Sequence, residues 1–283
     1  MGDVNKHRSF VTLGMFIIDE FSFMDEDGNP TGRSLAPQGS WIGGGGTYAA
    51  IGARVWLPPS QIGMIVDKGN DFPEAIEKGL VEYGNDMWMF RERPDRGTTR
   101  ALNSYRGERR GFEYKTPRIR LTPKDLEGTT LARPKILHFI CSPSRASSIM
   151  SEVEDGWKPV TVYEPIPDRC IPEELPALRK IIARISVLSP NAEEALSLLS
   201  FAVPTSKDAI EKAADQFLDM GVGENCDGWV VIRSGPLGAY IKSRKTSGSW
   251  VEAFWTAENA EKVIDVTGKA VAFGFVKTNL MKE

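Results

Sequence analysis

The feature that most constrains this chain is an alternation in its second half. Short apolar runs, "ILHFICS", "PVTVYEP", "RISVLSPN" and "GWVVIRSG", are interleaved with stretches of helical spacing, "EELPALRKIIARI", "AEEALSLLS" and "KDAIEKAADQFLDMG". Runs of this kind read as strands buried on both faces, and the helices between them return the chain to parallel neighbours. The expected class is therefore α/β, a mainly parallel central sheet with helices on both sides. Ligands in such sheets bind beyond the carboxyl ends of the strands, so strand-end residues are the first candidates for function.

The first half fits the same plan with interruptions. "FVTLGMFIIDEF" reads as one buried strand that presents Asp19 at its carboxyl end, "TYAAIGARVWL" as a helix packed on the sheet, and "QIGMIVDK" as the next strand. "DFPEAIEKGLVEYG" places Ile76, Leu80 and Tyr83 on one helical face, with Asp71 as N-cap and Gly84 as stop. "DEDGNPTGRS" and "APQGSWIGGGG" are rich in turn formers and read as loops and a small excursion from the main sheet. "MWMFRER" through "TTRALNSYRGERRGFEYK" reads as strand, turn and strand, a solvent-facing β-flap.

Length and composition narrow the classes further. With 283 residues, 41% hydrophobic and 26% charged, the expectation is one domain over 1–283 with a sizeable core, neither disordered nor fibrous. A net charge of -3 gives no electrostatic case for nucleic acid as the main partner. The basic stretch "RGERRGFEYKTPRIR" contains Glu108 and Glu113 and reads as a solvated flap. No apolar run approaches the roughly 20 residues that a membrane span needs, and "MGDVNKHRSF" lacks a signal-peptide core; a cytoplasmic protein without a membrane partner is expected. Cys141, Cys170 and Cys226 are odd in number and widely spaced, as reduced thiols are, and His7 and His138 are too few for a histidine-rich metal site.

Several pieces carry chemistry. Asp19 can accept hydrogen bonds from the hydroxyls of a polyol or sugar; equally, it can be a solvated strand-end acid. Gly43 to Gly46, opening a helix, let backbone N–H groups approach a ligand, or simply allow close helix–sheet contact. In "LSPNAEEA", Asn191 and Glu194 have the spacing of a capping box and also that of a pair organising water around Mg2+ near phosphates. "VVIRSGPLGAYI" turns at Ser234, Gly235 and Gly238, as an ordinary hairpin or as a nucleotide-contacting turn. "CSPSRASS" reads as a small-residue loop and His138 as a hydrogen-bonded core histidine. The closing "DVTGK" is not a Walker A loop, because Val263 stands where the first glycine is needed and Ala270 where Ser or Thr is needed.

In this order, Asp19, the glycine run, Asn191-x-x-Glu194, "SGPLGA" and "DVTG" resemble the ribokinase-like family, the PfkB carbohydrate kinases, and "IGGGGTYAAIGAR" is similar to a fungal branch of it. The resemblance implies a ribokinase-like αβα sandwich with a small β-lid drawn from about 20–40 and 90–120. It implies ATP and Mg2+ as cofactors and a sugar or small-alcohol substrate. Substrate contacts would fall to Asp19, Gly43, Gly44 and Thr47, the last standing where many members have Asn. Nucleotide and phosphate contacts would fall to Asn191, Glu194, Ser234, Gly235, Gly238, Asp265, Thr267 and Gly268. Asn191 and Glu194 would act on the metal through water. A homodimer through the lid is also within the family's repertoire.

The departure is at the end. The family follows D-x-T-G with Ala-Gly-Asp, an anion hole and the base that deprotonates the acceptor hydroxyl. Here Gly268 is followed by Lys269, Ala270, Val271 and Ala272, so no catalytic base is assigned. The C-terminal part of the family domain after 268 is expected to be missing. Three accounts remain: a truncated or mis-spliced kinase, a non-catalytic binding protein, or a base supplied by another carboxylate.

Overall fold

The computed structural model describes residues 7–31, 40–106 and 109–254. The chain forms two compact units, one spanning Phe10–Leu121 and the other built on the described residues from Thr122 onward.

In the first unit, β1 (Phe10–Thr12) and β2 (Ile17–Met24) are separate strands. "FVTLGMFIIDEF" is thus two strands rather than one, because Gly14 lies between them. A Cβ there would run into the backbone of Gly46, and the Gly14 N–H donates to the Thr12 hydroxyl at 2.9 Å. Asp19 consequently sits within β2, not at a strand end as expected.

β3 (Ser40–Gly43) follows, a strand where the sequence reads as loop, and then α1 (Gly45–Arg54), β4 (Ile62–Gly69) and α2 (Glu74–Glu82). Gly44 caps α1 with φ +91°, a conformation that glycine adopts without strain. Pro73 takes the N-cap position of α2 in place of Asp71, whose carboxylate instead accepts the Thr98 N–H at 2.6 Å and the Arg100 guanidinium at 3.0 Å. Ile76 and Leu80 are buried on α2 while Tyr83 is exposed; Gly84 ends the helix at φ +128°.

β5 (Trp88–Arg93), β6 (Arg100–Arg106) and β7 (Arg109–Tyr114) complete the unit. β1, β4 and β5 run parallel in the order β1-β4-β5. A separate four-stranded sheet has the order β3-β2-β6-β7, with β2 and β6 parallel and the other pairs antiparallel. It combines the second half of the expected flap with the glycine-run segment; the first strand of that flap, "MWMFRER", is β5 and pairs in parallel with β4 instead.

In the second unit, β8 (Ile136–Ile140), α3 (Pro143–Ser151), β9 (Val160–Glu164), α4 (Leu175–Ile181), β10 (Val187–Leu188), α5 (Ala192–Leu198), α6 (Lys207–Asp219) and β11 (Trp229–Arg233) alternate as expected. β8, β9, β10 and β11 are parallel neighbours in that order. β12 (Ala239–Ser243) and β13 (Thr246–Val251) extend the sheet antiparallel. α3 corrects the reading of "CSPSRASS" as a loop: the Ser142 hydroxyl caps it through the Arg145 N–H at 3.2 Å, and Pro143 occupies the first turn, where its missing N–H costs nothing. α6 follows the 3.6-residue period, burying Ile210, Ala213, Ala214, Phe217 and Leu218. Among the described residues no helix is long and apolar enough to cross a membrane.

Candidate functional site

Two groups of the expected residues come together, one in each unit. In the second unit they lie at the carboxyl ends of β9, β10 and β11. Asn191 caps α5 in a closed box: its carboxamide oxygen accepts the Glu194 N–H at 2.8 Å, and Glu194 Oε2 accepts the Asn191 N–H at 2.7 Å. The local sequence alone explains this pair, since Asn and Glu three apart satisfy two otherwise orphaned backbone donors.

Around the box stand residues that the sequence reading passed over. Glu164 ends β9 and Arg233 ends β11. Arg233 Nη2 lies 3.0 Å from Glu164 Oε2 and 3.8 Å from Glu194 Oε2, and donates to the Ser189 carbonyl at 3.2 Å. His138 on β8 lies 3.3 Å from Glu164 Oε1, consistent with a hydrogen-bonded core histidine. The signal that could have found Glu164 and Arg233 was present: each is the single charge closing an apolar strand, "VTVYE" and "VVIR".

Electrostatics separate the two acids. Burial pushes the Glu194 carboxyl from 4.5 up to about 7; Arg233 and the Asn191 N–H oppose that, while Glu164 and Glu193 reinforce it. Burial also works to raise Glu164, but the charge of Arg233 and the contact with His138 outweigh it and hold this acid below its ordinary value. At neutral pH Arg233 therefore faces one firmly ionised carboxylate and one in mid-titration. The Ser189 hydroxyl and Arg233 Nε are buried with no hydrogen-bond partner in the structure, so the cluster retains polar capacity.

Next to it, the Ser234 N–H donates to the Gly238 carbonyl at 2.7 Å, closing the short turn Gly235–Leu237, and the Ser234 hydroxyl donates to the Ile232 carbonyl at 3.1 Å. Gly235 and Gly238 have φ +52° and +91°. Asp265, Thr267 and Gly268 lie outside the described residues.

The donor set does not fit a directly held Mg2+. Among the described residues no group of three or more His, Cys, Asp and Glu is arranged around a common point. Glu164 is already shared between Arg233 and His138, and Glu194 Oε2 between Arg233 and a backbone N–H. A magnesium ion would meet a guanidinium where it needs hard oxygen.

In the first unit, Asp19 is 5% exposed on β2, with Trp41 opposite it on β3 and Ala101 opposite it on β6. Gly43 is buried beside it, and any Cβ at that position would strike the Asp19 carboxylate. Gly44 and Thr47 follow at the start of α1; Thr47 is fully buried and its hydroxyl has no hydrogen-bond partner in the structure. Asn103 on β6, which sequence reasoning did not single out, is buried on the same sheet face as Asp19. Phe21, Phe23, Trp41 and Tyr105 share that face, with ring centroids 5.2 to 6.5 Å apart.

Parallel strands joined by helices, a small separate sheet carrying an acid beside a glycine strand, and a capped helix at the strand ends define an α/β protein of ribokinase-like fold. Ribokinase from Giardia lamblia superposes with a TM-score of 0.65 at 18% identity, covering 87% of this chain and 76% of that one. Ribokinase from Cryptococcus neoformans in complex with ADP gives 0.62 at 16%, covering 89% and 80%. No family model matches the chain. The chain does belong to the family of Protein MAK32 of Saccharomyces cerevisiae, being 31% identical to it over 93% of this chain and 76% of that protein. It is also 37% identical to the uncharacterized protein C16C9.01c of Schizosaccharomyces pombe over 84% of this chain, and spans 65% of that relative's length.

Proposed function

We propose that this chain is a kinase-like binding protein rather than an efficient phosphotransferase. It takes a nucleotide at the ends of β10 and β11 and a hydroxylated small molecule, a sugar or small alcohol, over Asp19. The observation that carries this reading is Arg233. Its guanidinium lies between Glu164 and Glu194, which neutralise its charge, and it keeps an Nε–H without a hydrogen-bond partner that a phosphate oxygen can accept. The replacement of Ala-Gly-Asp by Lys269, Ala270 and Val271 points the same way, because transfer needs a base and an anion hole. In this role, Ser234, Gly235 and Gly238 shape the turn against which the nucleotide lies, and Asn191 and Glu194 keep the helix start in place. The setting is the cytoplasm, consistent with three free thiols.

Calorimetric titration with ADP tests the reading. ADP is expected to bind in EDTA, with less than a threefold gain on adding Mg2+, and ATP is expected to persist in the presence of a sugar panel. ATP consumption that needs Mg2+ and disappears in Asp19→Ala would overturn the proposal.

A second reading has its own support in the length of the relatives. ATP- and Mg2+-dependent transfer to a sugar or small alcohol would then belong to proteins of the relatives' length, of which this chain spans 65% and 76%. Expression of the longer relatives beside this chain separates the two, since only the second reading predicts that added length restores turnover.

A further inference from the structure

Where α1 and α2 end, the first unit exposes four large apolar side chains together. Val55 and Trp56 follow α1 and are 73% and 42% exposed; Val81, in the last turn of α2, and Tyr83, just after it, are 38% and 42% exposed. Arg54 joins the two segments, its Nε donating to the Tyr83 carbonyl at 2.7 Å and its Nη1 to the Leu57 carbonyl at 2.8 Å. Gly84 closes against Pro59 with no room for a Cβ. The turn after α1 is fixed as well, since the N–H groups of Val55, Trp56 and Leu57 donate back to the Gly52 and Ala53 carbonyls at 2.9 to 3.2 Å. Apolar side chains grouped on ordered backbone mark an interaction surface, and covering them costs little conformational freedom.

The free charge beside them has one sign. Glu82 and Asp86 are exposed in the same stretch as Val81 and Tyr83, and neither has an ion-pair partner among the described residues. The acids earlier on α2 are answered, Glu74 by Lys78 at 2.7 Å and Glu77 by Lys68 at 2.9 Å. Arg54 directs its Nε and Nη1 to carbonyls rather than to either free acid. Such a corner repels an anionic lipid surface or a nucleic acid. A two-fold contact with a second copy would bring the same acids to one another. A segment that carries lysine or arginine beside aliphatic or aromatic residues covers the apolar side chains and answers the acids together. We therefore propose that this corner is a docking surface for a basic, amphipathic segment of another protein. Its place in the fold keeps it clear of the ligand sites: both segments lead into the amino-terminal ends of β4 and β5, and α1 sets about 15 Å of helix between Arg54 and the glycines beside Asp19. The proposal does not depend on what binds there.

The test uses the full chain and three labelled helix-forming peptides of equal length. One has leucine and lysine in amphipathic order, one leucine and glutamate in the same order, and one lysine and serine with the charge of the first. By fluorescence anisotropy the leucine-lysine peptide is expected to bind about tenfold more tightly than either control. Trp56→Ala and Tyr83→Ala should each weaken it by about tenfold. Glu82→Lys and Asp86→Lys should each weaken it by about threefold, an effect that fades at high salt. The Tyr83 carbonyl that holds Arg54 persists in every variant, and thermal melts verify folding; a variant with a displaced melt is set aside and the other three carry the comparison. Equal binding of the lysine-serine peptide would reduce the effect to charge, and equal binding of the leucine-glutamate peptide to apolar contact; either overturns the proposal. So does failure of the leucine-lysine peptide to bind, or binding that survives both Trp56→Ala and Tyr83→Ala. Self-association in sedimentation, or adhesion to phosphatidylserine vesicles, that Trp56→Ala abolishes would assign the corner to a second copy or to a membrane and overturn it too.

Discussion

The cluster around Arg233 and the sheet face around Asp19 both bury carboxylates, and they do so in different surroundings. Glu164 and Glu194 share a guanidinium, a histidine and a capped helix start, so their charge is answered from within the chain. Asp19 sits on a strand that shares its sheet face with phenylalanine, tryptophan and tyrosine rings and with the buried side chain of Asn103. Internally neutralised charge stabilises one geometry and tunes the affinity of what binds beside it.

The largest expected effect comes from breaking the first arrangement. Arg233→Met leaves two buried acids facing each other and is expected to cost about 3–5 kcal/mol of unfolding free energy at pH 7.5. At pH 5 the loss should be smaller, because Glu194 is then protonated. Arg233→Lys should recover part of it, a point charge lacking the planar fork. Denaturant unfolding at both pH values measures this, and a small, pH-independent loss would show that Arg233 does not hold the cluster.

Next in size is the pH dependence of the unaltered chain. Between pH 4.5 and about 7 the folded state keeps a proton on Glu194 that the unfolded chain has released. Stability therefore declines as pH rises through that window and levels off above it, with a total of about 3 kcal/mol. Glu164 acts in the other direction: its contribution is complete above 4.5 and is lost as pH falls through its depressed value. Glu194→Gln retains a side chain that can accept the Asn191 N–H, and it should flatten the decline between 4.5 and 7. A slope unchanged in that variant would assign the titration to another group.

The same contrast explains what the sequence disclosed. The parallel strands of the second unit were legible because burial on both faces enforces continuous apolar runs, and α6 because one face is apolar at every third or fourth position. Asn191 and Glu194 were legible as a pair because a capping box is a local pattern. Arg233 and Glu164 lie 69 residues apart, and only strand order brings them to one point. β3 was hidden by its glycines: "SWIGGGG" lacks β-branched alternation, and the strand exists because β2 provides its hydrogen bonds and Gly43 leaves room for Asp19. The division of "FVTLGMFIIDEF" was equally invisible, since it follows from Gly14 approaching Gly46 some thirty residues on.

A smaller effect tests the second region. Gly43→Ala sets a methyl against the Asp19 carboxylate and is expected to cost about 1–3 kcal/mol through overpacking. The clash falls on the Asp19 carboxylate itself, so the affinity for hydroxylated ligands should fall further than stability does. Equal affinity in the variant and the unaltered chain would show that Asp19 does not contact the ligand.

The smallest expected change also discriminates most sharply between structural and ligand-contacting roles in the first region. Asn191→Ala removes one capping acceptor and should cost about 1 kcal/mol, with Asn191→Ser restoring most of it because serine caps nearly as well. If Asn191 only fixes the start of α5, ADP affinity should follow stability and recover in the serine variant. If its carboxamide also reaches the nucleotide, the serine variant will be stable and still bind ADP weakly, because the shorter hydroxyl caps the helix without extending beyond it. The neutralised cluster around Arg233 favours the first outcome: the Asn191 carboxamide oxygen is already committed to the Glu194 N–H, and Arg233 is the group with an unused donor.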